Sequence, residues 1–270
     1  MAKKVKITRK QIKQDDKFLH ALKGVTKKIV ASPTEDESTF EKYKPYLIWG
    51  GIVLAVVAVI VAAVWGFTQY RVKGAERLMA QADAIYRVPV VTEEQFNQNP
   101  MLRSIGAYTD AKKKWSDAAE HYEAVIAGYA NTEYGILSQL YAANCYYELG
   151  EYNEAISRYQ QYLEKAGNDA PFALLARQSI GYAQEALGKF EEAEQTFLGL
   201  TAEEGSTISL LSLFDLARIY EQKDQMDKAL ATMKKFNEVE LTQGPQFYQI
   251  KRRAEAKIKM LEARVENGSS

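Results

Sequence analysis

Residues 136–169, ILSQLYAANCYYELGEYNEAISRYQQYLEKAGND, carry the pattern on which the reading of the whole chain turns. Ala143 precedes Gly150 by seven positions; Tyr152, Ala155 and Tyr159 follow it by two, five and nine. Two helices joined at a glycine turn would bring Ala143 and Ala155 to a close crossing and leave Tyr159 to fill the groove toward a neighbour. One such hairpin buries too little apolar surface to stand alone, so the pattern needs copies of itself.

The copies are present on both sides. Trp115 with Ala118, Phe190 with Ala193 and Met226 with Ala229 match Tyr152 with Ala155, and the four alanines lie 37, 38 and 36 residues apart. Four positions later come Tyr122, Tyr159, Phe197 and Met233. Gly188 supplies a second turn glycine, while Lys113 and Asp224 hold that place in the outer units; Gly181, Gly106 and Ala217 correspond to Ala143. Four helix pairs over residues 99–243 are expected to share one continuous core. Residues 244–270 should close it, because Phe247, Ile250, Ala254, Ile258, Leu261 and Val265 keep a helical period after Pro245.

At these residues the sequence resembles the tetratricopeptide repeat family, whose units are helix-turn-helix pairs with small, Gly, aromatic and Ala positions in this order. It departs from the family pattern in its longer period, in Gly167 where a helix-stopping Pro is usual, and in the missing turn glycine of the first and last units. The resemblance implies an all-α solenoid with a partner-binding groove lined by the first helix of each pair. It places Leu137, Leu140, Asn144 and Tyr147 there from the second unit, Tyr182 and Glu185 from the third, and Phe214, Arg218 and Glu221 from the fourth. Members that clamp a terminal carboxylate converge several bases and Asn on the groove, whereas this chain offers only Asn144, Arg218 and Arg103. An extended segment with apolar and basic residues is the expected ligand, though the same aromatics would also serve as packing.

A second signal precedes the repeats. Residues 47–67, LIWGGIVLAVVAVIVAAVWGF, are 21 residues without a charge; as a helix they span about 32 Å, close to the ~30 Å hydrocarbon core of a bilayer. Tyr46 and Trp49 at one end and Trp65 and Tyr70 at the other suit the two headgroup belts. A transmembrane helix over 46–70 is therefore expected, with a basic segment and linker over 1–45 and a stalk with a short helix over 71–98. The span reads as an uncleaved anchor, since some 45 residues precede it and no small-residue cleavage site follows.

The chain has 35 basic and 35 acidic residues, but residues 1–46 hold 12 bases and 6 acids, so the acids predominate beyond the span. The positive-inside tendency puts the N-terminus in the cytoplasm and the repeats outside it. Near the span the bases tie, Lys27, Lys28, Lys42 and Lys44 against Arg71, Lys73, Arg77 and Arg87, which leaves the inverted topology open. Residues 8–30 have the spacing of a basic amphipathic helix, either touching anionic lipid or a membrane partner, or serving only to set topology.

Motifs for chemistry are wanting. The sequence has no phosphate loop, HExxH, GxSxG or CxxC, two histidines (His20 and His121) and one cysteine, Cys145. We expect no catalytic residues, no metal and no cofactor, and no nucleic-acid or small-molecule partner. The architecture resembles single-span bacterial inner-membrane proteins that serve as ancillary subunits of the Sec translocon. That implies a protein-binding scaffold in the periplasm assisting translocation or folding; a structural subunit of a division, export or respiratory complex, held mainly through its span, is the alternative.

Overall fold

A computed structural model describes residues 36–202, 206–236 and 245–268, so the basic segment 8–30 lies outside the described residues. The chain forms two compact units, Met1–Phe67 and Thr68–Ser270.

Helix α1 (Asp36–Arg87) begins in the first unit and ends in the second. Its start lies ten residues before the expected span, so residues 36–45 are helix and not linker. Pro45 removes only one backbone donor, and the helix continues through it. The most apolar stretch has a mean hydropathy of 2.9 and none of it is buried. A core helix of a water-soluble domain would be covered; here Trp49 and Trp65 are each 67% exposed. Among the described residues α1 alone is long and apolar enough to cross a bilayer.

The second unit starts with the tail of the same helix. Ala75, Met79 and Ala82, spaced by four and three, are buried against Ala118, Ala119 and Tyr122 of α4 (Ala111–Tyr129). The first helix pair is thus the α1 tail with α4, which moves the start of the repeats from the expected residue 99 back into the stretch 71–98 expected to be a stalk with a short helix. Residues 88–110 are an insertion within that pair. Pro89 follows the helix end, Val90 bridges to Tyr108, and two short helices, α2 (Glu93–Gln98) and α3 (Pro100–Ser104), fill the loop. The Thr92–Gln95 capping box opens α2 as its spacing implies. Gly106, with φ +70°, is a turn residue here; Ala82 supplies the small position at the crossing. Asp110 caps α4 by accepting from the Lys112 and Lys113 amides, so Lys113 sits inside the first turn.

From here the repeats follow the expected register. The pairs are α5 (Glu133–Leu149) with α6 (Tyr152–Ala166), α7 (Ala173–Ala186) with α8 (Phe190–Thr201), and α9 (Thr207–Gln222) with α10 (Met226–Lys235), closed by α11 (Pro245–Gly268). From α4 to α11 each helix packs on the next, and Ala155, Ala193 and Ala229 are wholly buried at the crossings. Gly150 and Gly188 take positive φ of 79° and 71°, and Asp224 does the same at 57° where the fourth unit lacks glycine. A Cβ on Gly181 would meet the buried Phe197 ring at 2.6 Å, so this glycine lets the aromatic reach the crossing. A Cβ on Gly135 would lie 2.0 Å from the Tyr129 carbonyl oxygen, which a backbone cannot yield.

Gly150→Ala, open in space but left-handed, should cost about 1–2 kcal/mol of stability. Gly181→Ala should cost about 1–3 kcal/mol by overpacking, and Gly135→Ala more than either. Urea denaturation of the three variants checks the order; an indifferent Gly135→Ala would contradict the close approach.

Candidate functional site

The first helices of the pairs touch their counterparts along the solenoid, and their polar side chains meet there. Asn144 on α5 donates to the Tyr86 hydroxyl of the α1 tail at 3.3 Å and accepts from the Tyr159 hydroxyl of α6 at 2.7 Å. Between α7 and α9 the contacts are ionic. Arg218 donates from Nε and Nη2 to the two Glu185 oxygens at 2.8 and 2.7 Å, and from Nη1 to Asp215 at 2.9 Å. The other Asp215 oxygen accepts from Gln178 at 2.9 Å and from the Tyr182 hydroxyl at 3.0 Å. Asp215 is 4% exposed, and these three partners make its burial tolerable.

The charges set the local proton affinities. Hydrogen bonds to Glu185, with the charges of Glu185 and Asp215, hold the Arg218 guanidinium above its ordinary range against the opposing effect of burial. Burial, and then Asp215, push the Tyr182 phenol up. Tyr147 is pushed up chiefly by burial as well, and its ring meets Tyr152 edge-on at 5.3 Å. At the far end α11 adds positive charge: Lys257 and Arg264 reach Glu221 at 2.5 and 3.1 Å, and the Arg253 guanidinium lies 5.5 Å from the Phe214 ring centre.

Most expected groove residues therefore come together as a cross-repeat lattice. Asn144, Tyr182, Glu185 and Arg218 bridge adjacent pairs and Glu221 bridges to the closing helix α11, while Tyr147 and Phe214 are half-buried beside them. Leu140 is a correction: at 3% exposure it packs with Ala143, Tyr159 and Ile180 in the core, because it falls on the side of α5 turned to α6 and α7. Leu137, half-buried, lies near the N-terminal end of α5 and lines a cavity there. Each guanidinium nitrogen of Arg218 donates to Glu185 or Asp215 and Arg103 donates to the Phe96 and Asn97 carbonyls, so neither is poised as a carboxylate clamp. Tyr86, Asp215 and the bases of α11 were not singled out in the sequence. Asp215 had a signal, standing three residues before Arg218 and 33 after Tyr182, close to one repeat away.

Residues with chemical potential are packed. The Cys145 thiol is wholly buried and pushed up to about 12 by that burial. His121 pairs with the Asp117 carbonyl at 2.8 Å. Among the described residues no three His, Cys, Asp or Glu side chains cluster as a metal site.

The family models agree with this architecture. The chain matches the model of the tetratricopeptide repeat-like domain over residues 46–208 and that of the tetratricopeptide repeat over 211–241. No curated protein matches. Among solved structures it is similar to nearly identical tetratricopeptide-like repeats described as from a kinesin light chain of Podosopora anserina, at 18% identity, over 73% of this chain and 98% of that one, with a TM-score of 0.45. It is also similar to BtubC (BKLC) from P. vanneervenii, at 15% identity, over 74% of this chain and 89% of that one, with a TM-score of 0.45.

Arg218→Met should destabilise the protein by about 1.5–3 kcal/mol, since it strips charged hydrogen bonds from a buried carboxylate. Asp215→Asn in the same chain should restore part of the loss in a denaturation series. Cys145 should resist alkylation at pH about 8 in the native protein and react once unfolded, as followed by mass spectrometry.

Proposed function

Because the chain belongs to the tetratricopeptide repeat-like domain family, we propose that it is a membrane-anchored, non-catalytic scaffold. In this reading α1 crosses a bacterial inner membrane with its N-terminus in the cytoplasm, and the solenoid binds protein partners in the periplasm. The observation that carries it is the uncovered apolar length of α1, continuous with the first repeat. The excess of bases before the span supports the orientation.

The ligand of the first-helix face is an extended or partly unfolded segment of a translocating or newly exported protein. Half-buried Tyr147 and exposed Glu148, with the charged lattice beyond them, offer ring surface and negative charge to apolar and basic side chains. Weak contacts suffice, since confining both partners at one membrane raises their effective concentration.

A structural subunit held through its span is the second reading. Gly50, Gly51 and Gly66 leave the exposed surface of α1 without side chains, which permits close approach of another helix. Photocrosslinking in cells from Tyr147, Glu148 and Trp49 separates the two. Adducts of Tyr147 and Glu148 with translocating chains or chaperones are expected; adducts from Trp49 alone, to one stable membrane protein, would overturn the first reading in favour of the second.

A further inference from the structure

We propose that an apolar cavity in the second repeat takes up an acyl chain of a zwitterionic phospholipid from the bilayer that α1 crosses. The inference rests on the anchoring reading above and adds a lipid site to it. The cavity, of about 440 Å³, lies between the N-terminal end of α5, the C-terminal end of α6 and the loop into α7. Its walls are Ile136, Leu137, Tyr162, Ala166, Pro171 and Phe172, and Glu133 and Lys165 stand at its rim. The volume falls in the roughly 300–1,000 Å³ range of small-ligand sites.

Position argues for lipid. Arg71 is the first charged residue after the uncharged window, so in a membrane-crossing α1 it sits in the headgroup layer. Arg71 donates to the Gly128 carbonyl at 2.6 Å, which holds the C-terminal end of α4 at that level. Two residues on, the Ala130 carbonyl accepts from Lys165 at 3.3 Å, which brings the end of α6 to the same edge. The cavity opens among these very ends. Phe172 and Leu175 at the start of α7, and Leu198 near the end of α8, are 39%, 43% and 42% exposed on that edge. At the opposite ends of the same helices Leu149, Tyr152, Leu187 and Phe190 are only partly exposed, and the exposed residues there are Glu148, Glu151 and Lys189 with the Gly150 and Gly188 turns.

Charge selects the headgroup. Lys165 uses one of its three donors on Ala130 and can give the others to a phosphate, while Glu133 can accept from an ammonium. Opposite charges at one rim fit a phosphatidylethanolamine better than an anionic lipid, which Glu133 would repel.

The test uses the full chain in nanodiscs of phosphatidylethanolamine and phosphatidylcholine, with benzoylphenylalanine replacing Phe172, Trp65 or Tyr248 in turn. After irradiation, intact mass should rise by one phospholipid at Phe172 and Trp65 and not at Tyr248. Adducts at Trp65 without Phe172 would overturn the cavity assignment and leave the anchor standing; none at either would overturn the anchor as well. Capture of a polypeptide in place of lipid by Phe172 in native membranes would reassign the edge to a protein and so refute the proposal. Lys165→Glu, which makes the rim wholly acidic, should lose the Phe172 adduct and keep the Trp65 one; an unchanged yield contradicts the headgroup assignment.

Discussion

Close approach between helices is the constraint on which the second unit depends. At each crossing a residue with little or no side chain, Ala82, Ala143, Gly181 or Ala217, is buried, and a large side chain of the neighbouring helix, Tyr122, Tyr159, Phe197 or Met233, is buried with it. Phe197 over Gly181 is the clearest case. The exchange is favourable because a buried ring removes far more apolar surface from water than the small residue forgoes. It also fixes register, since a ring moved by one residue would meet a side chain in place of the gap.

The same rule explains why the long apolar helix runs on into the repeats. Ala75, Ala82 and Met79 make the α1 tail a proper first member of a pair, so the fold has no need of a separate stalk. Arg71 reinforces the join through Gly128 and the Tyr129 ring, and Gly74 lets that ring lie close. Tyr122 then donates to Asp83 at 2.6 Å, tying α4 to the tail by a half-buried hydrogen bond. The scaffold thus begins at the first charged residue after the apolar stretch.

The inner repeats were legible because their signal is local: a turn glycine at fixed distance from an aromatic and two small residues. Gly150, Gly188, Tyr159 and Phe197 all stand where spacing placed them. The first unit misled for a physical reason. Its helices are separated by the insertion 88–110, so the small position lies at Ala82, while Gly106 occupies the expected spacing and performs a turn instead. Leu140 misled in another way: the helix face it occupies follows from the direction in which α6 and α7 approach, which no single unit encodes. The ionic lattice of Arg218, Glu185 and Asp215 joins separate repeats, and its partners become neighbours only after stacking.

We propose that one uninterrupted helix serves as membrane anchor and as first helix of the solenoid. Amide hydrogen exchange of the full chain in lipid nanodiscs reads this directly, because bilayer burial and repeat packing protect backbone amides by different means along one helix. The account predicts slow exchange throughout residues 47–85. Fast exchange over 71–85 beside a protected span, or over 47–67 beside a protected solenoid, would contradict it.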